Sequence, residues 1–204
     1  MPAVAASVDA PARPGGTVVD RGERAGDQAP LAKADERDRQ VRRERVGFRQ
    51  WRLFDGGLTS VYDGTPWPDG RVTARCDRGH KPEEVPAKDC SCGIYAYYDP
   101  LPRTSSAATP DLVGGAVVLW GRIEAHMYGL RGAHARIVAL ELPLSRGRKR
   151  RAVIEVAEVL GVRAVPHRSL RKVALEHGEV LAPALRPKKT LTRAANIWSR
   201  YGPA

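Results

Sequence analysis

The sequence predicts an α+β fold: a β-rich, metal-stapled core, a small C-terminal helical module, and a disordered N-terminal tail. Three observations lead there. Strand-period alternation punctuated by turn signals runs over residues 46–144, and a helical period replaces it from residue 145. Cys76, His80, Cys90 and Cys92 all fall inside the strand-rich stretch.

Residues 1–45 mix Ala, Pro, Gly and Asp and then run DERDRQVRRER, which offers almost nothing to bury. They are assigned to a charged, disordered tail. Order is expected from Val46. VGFRQWRLF alternates on a strand period, Asp55-Gly56-Gly57 is a turn, and LTSVY completes a hairpin. Trp67-Pro68-Asp69-Gly70 is a second turn signal, and RVTARC a third strand. After the loop GHKPEEVPAKD, CSCGIYAYY reads as a fourth strand, with Tyr95 and Tyr97 on one face and Ile94, Ala96 and Tyr98 on the other. LPRTSSAATP is a linker. GAVVLWGRIEAHMY is a long strand with a bend expected at Gly121, and ARIVALEL is another.

RRAVIEVAEVLG then places Val153, Val156, Ala157 and Leu160 on one helical face, with Gly161 as its stop. Pro166 is suited to open a second helix at its first position, which Gly178 would end. A last helix is expected in TRAANIWSRYG, capped by Thr192. The domain organisation is therefore 1–45, 46–144 and 145–204.

Charge is unevenly spread. The chain carries a net +11, yet residues 145–204 alone hold 14 basic and 4 acidic side chains, a net of +10. The end of the chain is thus a cationic module. Arg146, Arg148, Lys149, Arg150 and Arg151 crowd the start of its first helix, Arg168, Arg171 and Lys172 lie on the second, and Lys188 and Lys189 precede the third. Cations at a helix N-terminus oppose the macrodipole, so the first run does not serve helix stability; phosphate binding would account for it. A solvated cationic surface is the plainer alternative.

The opening MPAVAASVDAPARPGG has neither a basic n-region nor a continuous apolar h-region. The longest apolar run, around Ala116 to Trp120, is too short to cross a bilayer. A cytoplasmic location without a membrane partner is expected. In a reducing compartment three cysteines suggest a metal or a reactive thiol rather than a disulfide framework.

The spacing C-x3-H-x9-C-x-C offers three thiolates and one imidazole, a closed tetrahedral set typical of structural zinc. Cys90 and Cys92 lie two apart and leave an extended segment from the same face. Gly79 relaxes the turn between the first two ligands, and Gly93 lets backbone pass close to the metal. Unrelated cysteines packed as small hydrophobes are the bland alternative. Cys76-Asp77-Arg78-Gly79-His80 also resembles the Cys-Asp-x-x-His segment of CDGSH-type iron–sulfur proteins. In that family the C-x-C pair comes first, and here it comes second. An iron–sulfur cluster stays open as the second cofactor.

Glu124, His126 and His134 could form a second metal site or an acid–base pair, against a plain reading as the polar face of a strand. Trp51, Trp67, Trp120 and Trp198, with Tyr95, Tyr97 and Tyr98, offer rings on which bases can stack. Aromatics in strands are more often core. No G-x-S-x-G, H-E-x-x-H, P-loop or dinucleotide fingerprint is present.

The stretches CSCGIYAYYDP and VVLWGRIEAHMYGLRGAHARIVAL resemble uncharacterised proteins of actinobacteria and their mobile elements, which pair a Cys/His set with C-x-C-G-I-Y-A and a later L-W-G segment. The resemblance covers roughly residues 47–142. It implies a shared fold and a single ligand set of Cys76, His80, Cys90 and Cys92, and it brings no activity. The expected function is a non-enzymatic accessory protein with structural zinc, binding nucleic acid electrostatically through residues 145–204. The alternatives are a protein–protein adaptor docking through the β-core, an iron–sulfur or redox protein, and an enzyme using Glu124, His126 and His134.

Overall fold

The computed structural model describes residues 43–101, 111–144 and 146–187. Residues 1–42 of the expected tail, most of the linker, Lys188, Lys189 and the helix expected around Thr192 lie outside them. Arg45, assigned to the tail, instead opens the first strand, where it is buried and pairs with Leu119.

The hairpin forms as the alternation requires. Strands β1 (Arg45–Phe54) and β2 (Gly57–Ser60) are joined by Asp55 and Gly56, both at positive φ (47° and 70°). A two-residue turn of that hand matches the twist of the strands it joins. Short strands β3 (Arg71–Thr73) and β4 (Ile94–Tyr97) follow. Two 14-residue strands, β5 (Leu112–Ala125) and β6 (Gly129–Leu142), then make the long axis of the sheet. The bend expected at Gly121 is present: its φ is 78°, and the β5–β6 register slips between Trp120 and Ile123. An extra residue of this kind sharpens local twist and bends the strand.

Pairing runs β1–β5–β6–β4, and β4 returns to β1 through Phe48 and Tyr97. The four strands close a ring. Along its second edge, β6 takes three short partners end to end: β4 at Gly129–Gly132, β3 at His134–Arg136, and β7 (Arg163–Pro166) at Ala139–Leu142.

Helix α1 (Arg148–Val159) and helix α2 (His167–Leu175) flank β7. Gly161, at φ 65°, stops α1 as expected. Strand β7 is the element the sequence does not announce. Four residues cannot display a period, and VRAVP becomes a strand only because β6 offers it a parallel edge. Pro166 therefore ends β7 and caps α2 instead of opening the helix at its first position.

The helices cover opposite faces. Val153, Val156 and Ala157 of α1 join a core containing Trp51, Trp67, Val117, Leu119, Ile137 and Leu140. Leu170, Val173 and Ala174 of α2 join a second core with Val46, Phe48, Ala116, Val118 and Val138. Among the described residues no helix is long and apolar enough to cross a membrane.

Candidate metal centre

The end-to-end arrangement of β3 and β4 creates the site. Thr73 pairs with His134 and Ile94 with Gly132, so the chain from residue 74 to 93 must leave the sheet and return almost where it left. Local hydrogen bonds shape that excursion. The Gly79 amide donates to the Cys76 carbonyl (3.2 Å), and Gly79 sits at φ 83°. A 3-10 turn over Pro82–Glu84 is tied by the Lys81 amide donating to Glu84 Oε2 (3.0 Å). The Cys90 amide closes a further turn onto the Ala87 carbonyl (3.2 Å).

These turns bring the four predicted ligands together. One donor atom from each of Cys76, His80, Cys90 and Cys92 lies within 4.8 Å of all the others, and no other such group occurs among the described residues. Cys76 Sγ is 3.0 Å from His80 Nδ1 and 3.6 Å from Cys90 Sγ. A disulfide would need sulfurs about 2.05 Å apart, so the second distance is no bond. Four ligands about 2.3 Å from a tetrahedral ion sit about 3.8 Å from one another, close to the spacing found. The four residues can hold one metal ion.

The donors differ in protonation. Burial opposes ionisation of Cys76, yet hydrogen bonds from the His80 side chain, the backbone of His80 and Arg78, and the Cys90 thiol hold it down at about 6. Burial pushes Cys92 up to about 11, despite the Ala87 amide that donates to its sulfur (3.3 Å). At neutral pH and without metal, Cys76 is thus largely thiolate, and Cys92 keeps its proton until a metal displaces it. Ligands must be deprotonated to bind, so acid weakens the site. Metal affinity should fall more steeply per pH unit below about pH 6 than above it, because Cys76 then takes up a proton as well. Competition against a chelator across pH 5–8 would check this; a single slope throughout would contradict it.

One residue that holds the ligand loop is not singled out by the sequence. Arg131 is buried, and its guanidinium donates to the carbonyls of Cys90 and Ala87 (3.0 Å to the latter) and to the Glu124 carboxylate. It clamps the ligand loop to β6. Gly93 makes room: at φ 122°, a Cβ there would come within 2.5 Å of Arg131 Cγ. The available signal was an arginine inside the tightly packed run Gly-Leu-Arg-Gly-Ala, where a lone charge needs partners.

Glu124 and His126 come together, and His134 does not join them. Glu124 pairs with Arg131 and is only 3.7 Å from His126 Nε2, while His134 stacks on Trp120 and contacts Thr73 Oγ1 (3.0 Å). Burial, helped by Arg131, lowers the His126 pKa. Ile94, Ala96 and Tyr98 face the core as read, with Trp51 and Trp67 packed edge to face at 5.4 Å. Of the basic residues, Arg146, Arg148, Lys149, Arg150 and Arg151 gather at the start of α1, where Arg150 donates to the Pro143 carbonyl (3.0 Å). Arg168, Arg171 and Lys172 ride on α2, over the other face, and Arg171 pairs with Asp99. No protein-family model, no curated protein and no solved structure matches this chain, so its site stands on geometry alone.

Proposed function

We propose that the protein is a zinc-stapled, non-enzymatic accessory factor that holds nucleic acid through cationic contacts with backbone phosphates. The observation that carries this reading is the start of α1. Arg146, Arg148 and Arg151 are exposed there, Gly147 supplies no side-chain cap, and the first turn holds no acid. That arrangement opposes the helix dipole and leaves amides and guanidinium groups together for an anion. A polyanion rewards it through counterion release.

Zinc is favoured over an iron–sulfur cluster by the compactness of the donor set. A two-iron cluster divides its ligands between separated irons, whereas these donors all lie within 4.8 Å of one another. Three thiolates and one histidine also leave no open position for substrate, which supports a structural role. A reducing cytoplasm would keep the thiols available.

The test is fluorescence anisotropy with a labelled 20-bp duplex over roughly 50–200 mM salt. Binding should weaken steeply as salt rises. The variant R146A/R148A/R151A should flatten the plot of log K against log salt by about 2.7, at roughly 0.9 per lost phosphate contact. Binding that ignores salt, or no binding at the lowest salt, would sink the proposal.

A further inference from the structure

Helix α2 covers only part of its sheet face. Its core partners are Val46, Phe48, Ala116, Val118, Val138 and Ala139. Strand alternation carries the same face onward to Trp120 on β5, to His134 and Arg136 on β6, and to Arg71 and Thr73 on β3. Register sets these side by side: Trp120 opposite His134, Thr73 opposite His134, and Arg71 opposite Arg136. Trp120 and His134 are half-buried, and their rings stack at 5.4 Å with planes 20° apart.

A cleft of about 490 Å³ lies further along β6, where it passes from β3 to β7; it shares Arg71 and Arg136 with this face and is not lined by the two rings. Arg71, Arg136 and Arg163 line it, together with Asp69, Glu176 and His177. Of its two acids, one is paired with a cation and the other keeps its charge. Asp69 Oδ1 accepts the Arg71 amide (3.1 Å), and Glu176 pairs with Arg163. Glu44, outside the lining, lies 3.9 Å from Arg136 across exposed surface, a contact that contributes little in water. Arg71 is exposed and forms no ion pair among the described residues. Aromatic rings beside guanidinium groups free to take phosphate are the chemistry that binds unpaired bases.

We infer that this face binds a single strand of nucleic acid, with bases against the Trp120–His134 stack and phosphates at Arg71 and Arg136. The inference rests on the nucleic-acid reading above and specifies the form of its ligand. A duplex keeps its bases stacked internally and offers α1 only phosphates. Helix α1, whose far end at Leu160 reaches the cleft, spans about 18 Å, so its basic start is a separate contact.

The experiment titrates full-length, metal-loaded protein into fluorescein-labelled dT15 and, separately, rU15, with an unlabelled duplex as competitor. Wild type should prefer both single strands to the duplex, and the two probes show whether DNA or RNA is the better source of strand. Trp120→Ala should weaken single-strand binding roughly tenfold and leave the salt slope unchanged. R71A/R136A should lower that slope by about 1.4, at roughly 0.7 per phosphate on a single strand. R146A/R148A/R151A should weaken binding while keeping the preference for single strands. If Trp120→Ala loses its metal or its circular dichroism spectrum, the exposed-residue variant R71A/R136A decides. Wild-type binding by both face variants, with loss only in the α1 variant, would overturn this inference alone. No wild-type binding to either strand at low salt would overturn it together with the reading it rests on.

Discussion

Cys90→Ser should purify without a stoichiometric metal ion and lose its cooperative thermal transition near the wild-type temperature. The size of the effect follows from where the ligands sit. Cys76 and Cys92 bracket an excursion between two strands of only three and four residues. Neither strand has the length to fix the loop by itself. A structural zinc site is worth on the order of 10 kcal/mol, comparable to the whole net stability of a domain. Cys90 and Cys92 are also buried within the same core as Val85, Ala87 and Ile94. Losing the ion therefore removes part of that core's support. The check is metal content by mass spectrometry alongside a melting curve, with strong chelation of the wild type as the matching experiment. A metal-free variant that melts as the wild type does would show that the four residues staple nothing.

Arg131→Met should destabilise the protein by on the order of 3 kcal/mol while leaving all four ligands in the chain. Methionine fills much the same volume but makes none of the guanidinium's contacts. The carbonyls of Cys90 and Ala87 would lose their buried donor, and Glu124, about a quarter exposed, would lose its partner. Its partial exposure keeps the expected cost at the low end for a broken buried pair. The melting temperature should fall by roughly 10 °C, and a chelator should strip the metal faster. Arg131→Lys should recover only part of the loss, since an ammonium cannot present a fork to two carbonyls and a carboxylate at once. A double variant with Glu124→Gln separates the causes. If it regains most of the lost stability, the stranded carboxylate dominates; if not, the orphaned carbonyls do. An unchanged melting temperature and chelation rate in Arg131→Met would show that the clamp is idle.

Both expectations depend on features that differ in how far they can be read from the sequence. The ligand set is legible because thiolate and imidazole chemistry at short spacing leaves few alternatives, and Cys90 and Cys92 share a face on any extended backbone. The hairpin around Asp55 and Gly56 and the bend at Gly121 are legible for the same reason: local residue chemistry alone demands them. Strand β7, the return of β4 to β1, and the assignment of α1 and α2 to opposite faces depend on partners far away in sequence. Nothing in a window of ten residues carries that information. Arg131 was lost in the same way, because its meaning comes from carbonyls about forty residues earlier. The split of the basic residues between two faces also separates groups that look continuous along the chain.

The placement of the long strand β6 predicts an order of assembly. Its partner β5 is joined to it through only the three residues between Ala125 and Gly129, so this pair can zip locally at small entropic cost. Strands β4, β3 and β7 reach β6 from earlier and later in the chain, and each pairs with a separate stretch of its second edge. Amide protons in the middle of β5 and β6 should then be the slowest to exchange with solvent, and those of the three docked strands should exchange earlier, in separable groups. If the strands exchange in that order, the ligand loop would join a preformed ladder late, and a metal held by its four donors would lock it there.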